Sequence, residues 1–120
     1  MTDREMLEFA AKAAGVPGKY NSEETCTTIG WQTVTGIYFD GLHSPLVDAG
    51  GVWNPLDDDG DGARMEAALG IHVTWHSDGV VCGKRIWQET EMFEDHNGDK
   101  QAARRIASLR IAAEIGKAMP

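Results

Sequence analysis

Cysteine is scarce in this sequence. Cys26 and Cys82 are its only two, and they follow no CxxC or other metal-ligand spacing. A zinc ribbon or a disulfide framework has no residues to build it, and both read as buried thiols in a reducing cytoplasm. Basic charge is also short: eleven Lys and Arg against nineteen Asp and Glu give a net charge of −8. That balance argues against nonspecific binding to nucleic acid or anionic membrane, where cations must neutralise phosphates. No stretch approaches the roughly 18 apolar residues of a membrane span. Met1-Thr2-Asp3-Arg4-Glu5 lacks a cationic segment followed by an apolar one, so a cytoplasmic protein without a secretory leader is expected. There is no G-x-S-x-G, Walker A, G-x-G-x-x-G or H-E-x-x-H run either, which disfavours the enzymes that use them. The reading is of a non-enzyme with no cofactor.

A length of 120 residues fits one domain, and 42% hydrophobic content is enough to bury a core without a covalent staple. Thr2 and Glu5 make a capping box, and Met6, Leu7, Ala10, Ala13 and Ala14 give one apolar face, so a helix is predicted over Asp3–Ala14 with Gly15 ending it. Lys19–Thr28 is polar and reads as an exposed loop, with Tyr20 folded back. Ile29–Asp40 is β-rich but broken by Gly30 and Gly36; two short strands and one bulged strand both fit. Gly41–Gly51 is a connection with a Ser44-Pro45 turn.

Val52-Trp53 and the Asn54-Pro55 turn lead to Asp57-Asp58-Asp59-Gly60-Asp61 and a helix over Gly62–Leu69, with Met65, Ala68 and Leu69 facing the core. Ile71, Val73 and Trp75 alternate with His72, Thr74 and His76, a period-two strand. Ser77-Asp78-Gly79 is a hairpin turn, and Val80–Trp87 is the return strand. Gln88–Asp99 reads as an acidic loop ending at Asn97-Gly98. Asp99 caps a last helix over Lys100–Ala118, with Ala102, Ile106, Leu109, Ala113 and Gly116 on one side and Ile111 and Ile115 opposite. A helix apolar on two sides predicts contact with the sheet and with a second surface, for which a homodimer partner is one candidate. The order α-β-β-α-β-β-α, linked by a hairpin, predicts an α+β fold with a mostly antiparallel sheet.

Asp57-x-Asp59-x-Asp61-Gly62 reproduces the first half of an EF-hand loop. The closing glutamate is missing: Ala68 stands at the twelfth position, Glu66 lies two residues early, and Arg64 occupies the apolar eighth. The stretch therefore reads as a helix N-cap with solvated charges and no metal, a weak cation site at Asp57, Asp59 and Asp61 being the alternative. Asp95-x-Asn97-x-Asp99 has Lys100 in place of the glycine and reads as a turn and cap. His72 and His76 share a strand face but sit roughly 13 Å apart at about 3.3 Å per residue, too far for one metal ion. His43 and His96 have no partner in the sequence. The acidic run Glu89, Glu91, Glu94, Asp95 and Asp99 precedes a basic helix carrying Arg104, Arg105 and Arg110. A solvated loop beside a self-paired helix is the simpler reading; an acidic face docking a basic host surface is the functional one. Of the tryptophans at 31, 53, 75 and 87, most are expected in the core, and an exposed one would be an interface anchor.

Three stretches carry a family resemblance: D-R-E-M-L-E-F-A-A-K-A-A-G near the start, W-N-P-L-x-D-D-G-D in the middle, and R-I-A-A-E-I-G near the end. Together they resemble the phage ABA-sandwich domain family, small proteins of tailed bacteriophages and prophages with helices on both sides of a sheet. The resemblance weakens over Lys19–Gly51 and Glu89–Lys100. It implies a single α/β/α sandwich domain in a phage or prophage setting, and it brings no catalytic residue. Its most specific part, Trp53-Asn54-Pro55-Leu56 with Asp58-Asp59-Gly60-Asp61, supplies the candidate binding residues Trp53, Asn54, Asp58, Asp59 and Asp61. The expected function is non-enzymatic binding of a host or phage protein in the bacterial cytoplasm, with an anti-defence role as one setting. A protein that sequesters a nucleotide or metabolite is the alternative.

Overall fold

Helix α1 covers Asp3–Ala14 and is closed at both ends by its own sequence. The Thr2 hydroxyl accepts the Glu5 N–H at 3.1 Å, and the Glu5 carboxylate accepts the Thr2 N–H at 3.3 Å. Gly15 terminates the helix in the left-handed region, with its N–H turned back to the carbonyls of Ala11 and Lys12. Met6, Leu7, Ala10 and Ala11 form the buried stripe, with Ala13 and Ala14 at its margin.

The computed structural model describes residues 1–16, 19–21, 25–26, 32–33, 36–38 and 52–120; from 19 to 38, and at 52, it describes the backbone alone. The loop expected over Lys19–Thr28 is overturned in part, because β1 (Lys19–Asn21) and β2 (Thr25–Cys26) lie within it. Strands of two or three polar residues have no periodicity to read; their partners define them. β1 pairs antiparallel with β4 (Gly36–Tyr38), β4 with β5 (Val52–Trp53), and β2 with β3 (Gln32–Thr33). Of the two possibilities for Ile29–Asp40, two short strands are found, β3 and β4, and they belong to different sheets. The Gly41–Gly51 connection, its Ser44-Pro45 turn, His43, Trp31 and the side chains of Tyr20 and Cys26 lie outside the described residues.

Helix α2 spans Asp59–Leu69, starting three residues before the expected Gly62. The acidic, glycine-broken run is itself the first turn, with Asp58 as its cap. Along α2 the buried residues are Asp61, Gly62, Met65, Glu66 and Leu69; Ala68, expected in the core, is exposed.

β6 (His72–Trp75), β7 (Gly79–Lys84) and β8 (Trp87–Met92) form an antiparallel sheet in that order. The return strand ends at Lys84, not Trp87, because Arg85 turns left-handed (φ 54°) and starts a two-residue turn. β8 and the 3-10 turn Phe93–His96 replace the loop expected over Gln88–Asp99. The strand was hidden because its alternation is inverted. Glu89 and Glu91 pair with Cys82 and Val80 on the helix-facing side, while Gln88 and Thr90 face outward and are exposed. Carboxylates occupy positions where a half-buried strand normally carries apolar side chains. Among the described residues the order is therefore one helix, five short strands, a second helix, three strands and a third helix.

Helix α3 runs Lys100–Ala118, capped by the Asp99 carboxylate on the Ala102 N–H at 3.0 Å. It lies against β7 and β8 and also against α1, with α2 beside it; α1 in turn touches β1 and β4. The second surface expected for α3 is thus α1. Contact on two sides requires small residues, and Ala103, Ala107, Ala112, Ala113 and Gly116 are all buried. Together with Trp53, Met65, Val80, Leu109 and Ile111 they belong to one shared core. The fold is α+β, and every strand pairing described is antiparallel. Among the described residues no helix is long and apolar enough to cross a membrane.

Candidate functional site

The Trp53–Asp61 stretch is built as a self-bonded loop around Asn54. The Asn54 Oδ1 accepts the Leu56 N–H at 3.0 Å, closing an Asx turn over Pro55. Its carbonyl accepts the Asp58 N–H at 2.9 Å, and its own N–H donates to Asp61 Oδ2 at 2.9 Å. Asp58 caps α2 by accepting the Asp61 N–H at 2.8 Å. Asp59 lies 2.5 Å from Arg105 Nη1, and Arg105 Nε donates to the Leu56 carbonyl at 2.9 Å, which ties the loop to α3. Trp53 and Pro55 are fully buried and Asn54 nearly so.

All five candidate binding residues are therefore close in space, and the polar groups of Asn54, Asp58, Asp59 and Asp61 are turned toward one another and toward α3. The three carboxylates of the half EF-hand do not converge. Asp57 faces the Asn54 amide at 3.3 Å, Asp59 faces Arg105, and Asp61 faces Asn54 and, at 2.8 Å, Arg64. Among the described residues no group of three His, Cys, Asp or Glu is arranged to hold a metal ion.

Burial pushes the Asp61 carboxyl above its usual range, against the opposing hydrogen bonds from Asn54 and Arg64. A carboxyl whose folded pKa is raised favours folding below its unfolded pKa, about 3.9, and that contribution is lost as pH rises through the folded value. The Asp61→Asn variant keeps an acceptor for the Asn54 N–H without burying a charge. It is expected to fall within about 1 kcal/mol of wild type at pH 7, whereas Asp61→Ala orphans that N–H and costs about 2 kcal/mol. Melting curves from pH 7 to pH 4 check this: wild type should gain on Asp61→Asn as the pH falls.

Two further polar clusters were not visible in the sequence. Ser108 donates to the Glu66 carboxylate and lies 3.4 Å from Cys82 Sγ, with Arg104 Nε 3.4 Å from Glu66. Burial raises the Cys82 thiol, which favours its neutral form. The available signal was Glu66, which falls on the core stripe of α2 next to Met65. In the second cluster, Glu91 bridges Arg110 at 2.5 Å and His96 at 2.9 Å, giving His96 the partner the sequence did not indicate. Both clusters join α3 to its neighbours.

Two depressions on the described surface are lined by polar side chains. One, about 380 Å³, opens between the start of α1, β8 and α3, where Asp3, Glu89 and Glu114 surround Arg110. The other, about 320 Å³, lies on the outer face of the β6–β8 sheet, with His72, Lys84, Arg85 and Trp87 among its walls. His72 is exposed on that face, whereas the His76 N–H closes the β6–β7 turn onto the Gly79 carbonyl. Two large apolar side chains stand out from the sheet, Trp75 at 46% exposure and Ile86 at 88%. Compared with models of known protein families, with curated proteins and with solved structures, the chain matches none of them, and the resemblance to the phage ABA-sandwich family rests on the quoted residues alone.

Proposed function

We propose that the chain is a small phage or prophage accessory protein that acts in the bacterial cytoplasm by binding a host or phage protein, without catalysing a reaction. The α/β/α sandwich of the phage ABA-sandwich family belongs to the same reading, with α3 and α1 as its helical layer on the inner face of β6–β8. An anti-defence role is the setting this reading favours, on phage context alone.

The observation that carries it is Trp75. It ends the edge strand β6 and is half-exposed, yet it is not loose: its ring lies 6.1 Å from that of Phe93, and Lys100 Nζ sits 5.4 Å from the Phe93 ring centroid. An exposed aromatic already held in place loses little freedom on docking, which is the property of an interface anchor. Because α3 is covered by the sheet and by α1, the reading puts the partner at the Trp75 end of the sheet and not in a homodimer through the last helix.

The test is co-purification from bacterial lysate with wild type and Trp75→Ser as paired baits. Wild type is expected to retain a stoichiometric partner and Trp75→Ser to lose it at least tenfold, with both baits melting within a few degrees of each other. A partner captured equally by both baits would remove Trp75 from the interface. A second reading, sequestration of a small ligand, is favoured by the depression on the outer face of the sheet.

A further inference from the structure

We propose that this outer-face depression binds the phosphate of a small phosphorylated ligand of nucleoside-monophosphate size; the proposal names the ligand class for the small-ligand reading and rests on it. The first reason is a local inversion of charge. The chain carries nineteen acidic and eleven basic side chains, yet none of the eight residues lining the depression is acidic, and Lys84, Arg85 and His72 are among them.

The second reason is Arg85 itself. Of the six arginines, Arg4, Arg64, Arg104, Arg105 and Arg110 each have a carboxylate within ion-pair distance. Arg85 has none among the described residues, in a chain with carboxylates to spare. Guanidinium groups recognise phosphate and carboxylate in the same forked geometry, so an arginine kept apart from internal carboxylates fits an external anion. The backbone supports this. Arg85 is left-handed (φ 54°) in a two-residue turn between the paired Lys84 and Trp87, at a position glycine fills without strain. Strained side chains of this kind recur at ligand sites, where the side chain matters more than the fit of the turn.

Around Arg85 the remaining walls suit a phosphate attached to a flat, less polar body. Lys84 gives its ammonium to the Leu69 carbonyl at the end of α2, so it contributes nearby positive charge and not a direct contact. Thr74 and Gln88 offer a hydroxyl and an amide, and Val81, on the same outer face, supplies apolar surface. About 320 Å³ is at the lower end of small-molecule pockets. That size admits a mononucleotide, and a chain of charge −8 repels a long polyanion, so a small ligand is favoured over a nucleic acid.

Isothermal titration of the whole protein with AMP, adenosine and inorganic phosphate tests this, using wild type and Arg85→Gly. The glycine removes the cation and relieves the turn, so the variant should melt at or above wild type. AMP is expected to bind wild type, phosphate to compete with it, and Arg85→Gly to weaken AMP at least tenfold. AMP affinity unchanged by Arg85→Gly would overturn the proposal. Adenosine bound as tightly as AMP, with or without Arg85, would overturn the phosphate site but leave the small-ligand reading standing. Absence of binding by all three at millimolar concentration would overturn the proposal and take its support from that reading.

Discussion

Replacing Gly116 by alanine is expected to cost about 3 kcal/mol or more and to lower Tm by roughly 10 °C, from a single methyl group. In α3, a Cβ at this position would overlap the carbonyl oxygen of Phe9 and would stand 2.6 Å from its carbonyl carbon and 3.1 Å from its Cα. All three are backbone atoms of α1. No side chain can rotate away, so α1 as a whole must shift against α3, and Met6, Leu7 and Ala10 sit in the core that would have to repack. The control has the opposite sign. Gly62 lies inside α2, where a Cβ would meet the Pro55 carbonyl at 3.5 Å, an ordinary contact. Gly62→Ala should gain up to about 1 kcal/mol from helix propensity and a less flexible unfolded chain. Thermal melts of the two variants side by side check both. Equal melting of Gly116→Ala and wild type would mean that α1 and α3 do not cross at this residue.

The same crossing shows what could be read in advance. α1 and α3 were legible to the residue because their ends are local: Thr2 with Glu5, Gly15, and Asp99 write the boundaries into neighbouring side chains. The β6–β7 hairpin was legible because Val73 and Trp75 alternate with His72 and Thr74 on a sheet covered on its inner face by α3. β8 was not, because its inward positions hold Glu89 and Glu91, and the half-buried Glu91 carboxylate is matched by Arg110 and His96, which the fold brings from elsewhere. The start of α2 is hard to read for a related reason: aspartates that look like a loop are its cap and first turn. The Trp53–Asp61 stretch stands out in the sequence by its turn and capping residues, but sequence alone does not say where its polar groups point. Arg85 and its left-handed turn gave no signal, since lysine, arginine and isoleucine are not turn residues.

Truncating Trp53 to alanine is the other change with a large expected effect, about 3–5 kcal/mol, and its comparison with phenylalanine separates packing from hydrogen bonding. Trp53 is fully buried at the end of β5, and its Nε1 has no hydrogen-bond partner among the described residues. A buried N–H that lost its water on folding is a standing cost, which phenylalanine removes while keeping most of the ring. Trp53→Phe should therefore lose less than half of what Trp53→Ala loses, whereas a satisfied N–H would add about 1–3 kcal/mol to the Trp53→Phe loss. Denaturant melts of the three proteins decide between these. The outcome also bears on the proposed function, because Trp53 opens the stretch that holds the candidate binding residues. If its role is to seat Asn54 and the α2 cap beneath α3, Trp53→Phe should capture partner as well as wild type does. Trp75→Ser, with its core intact, should not.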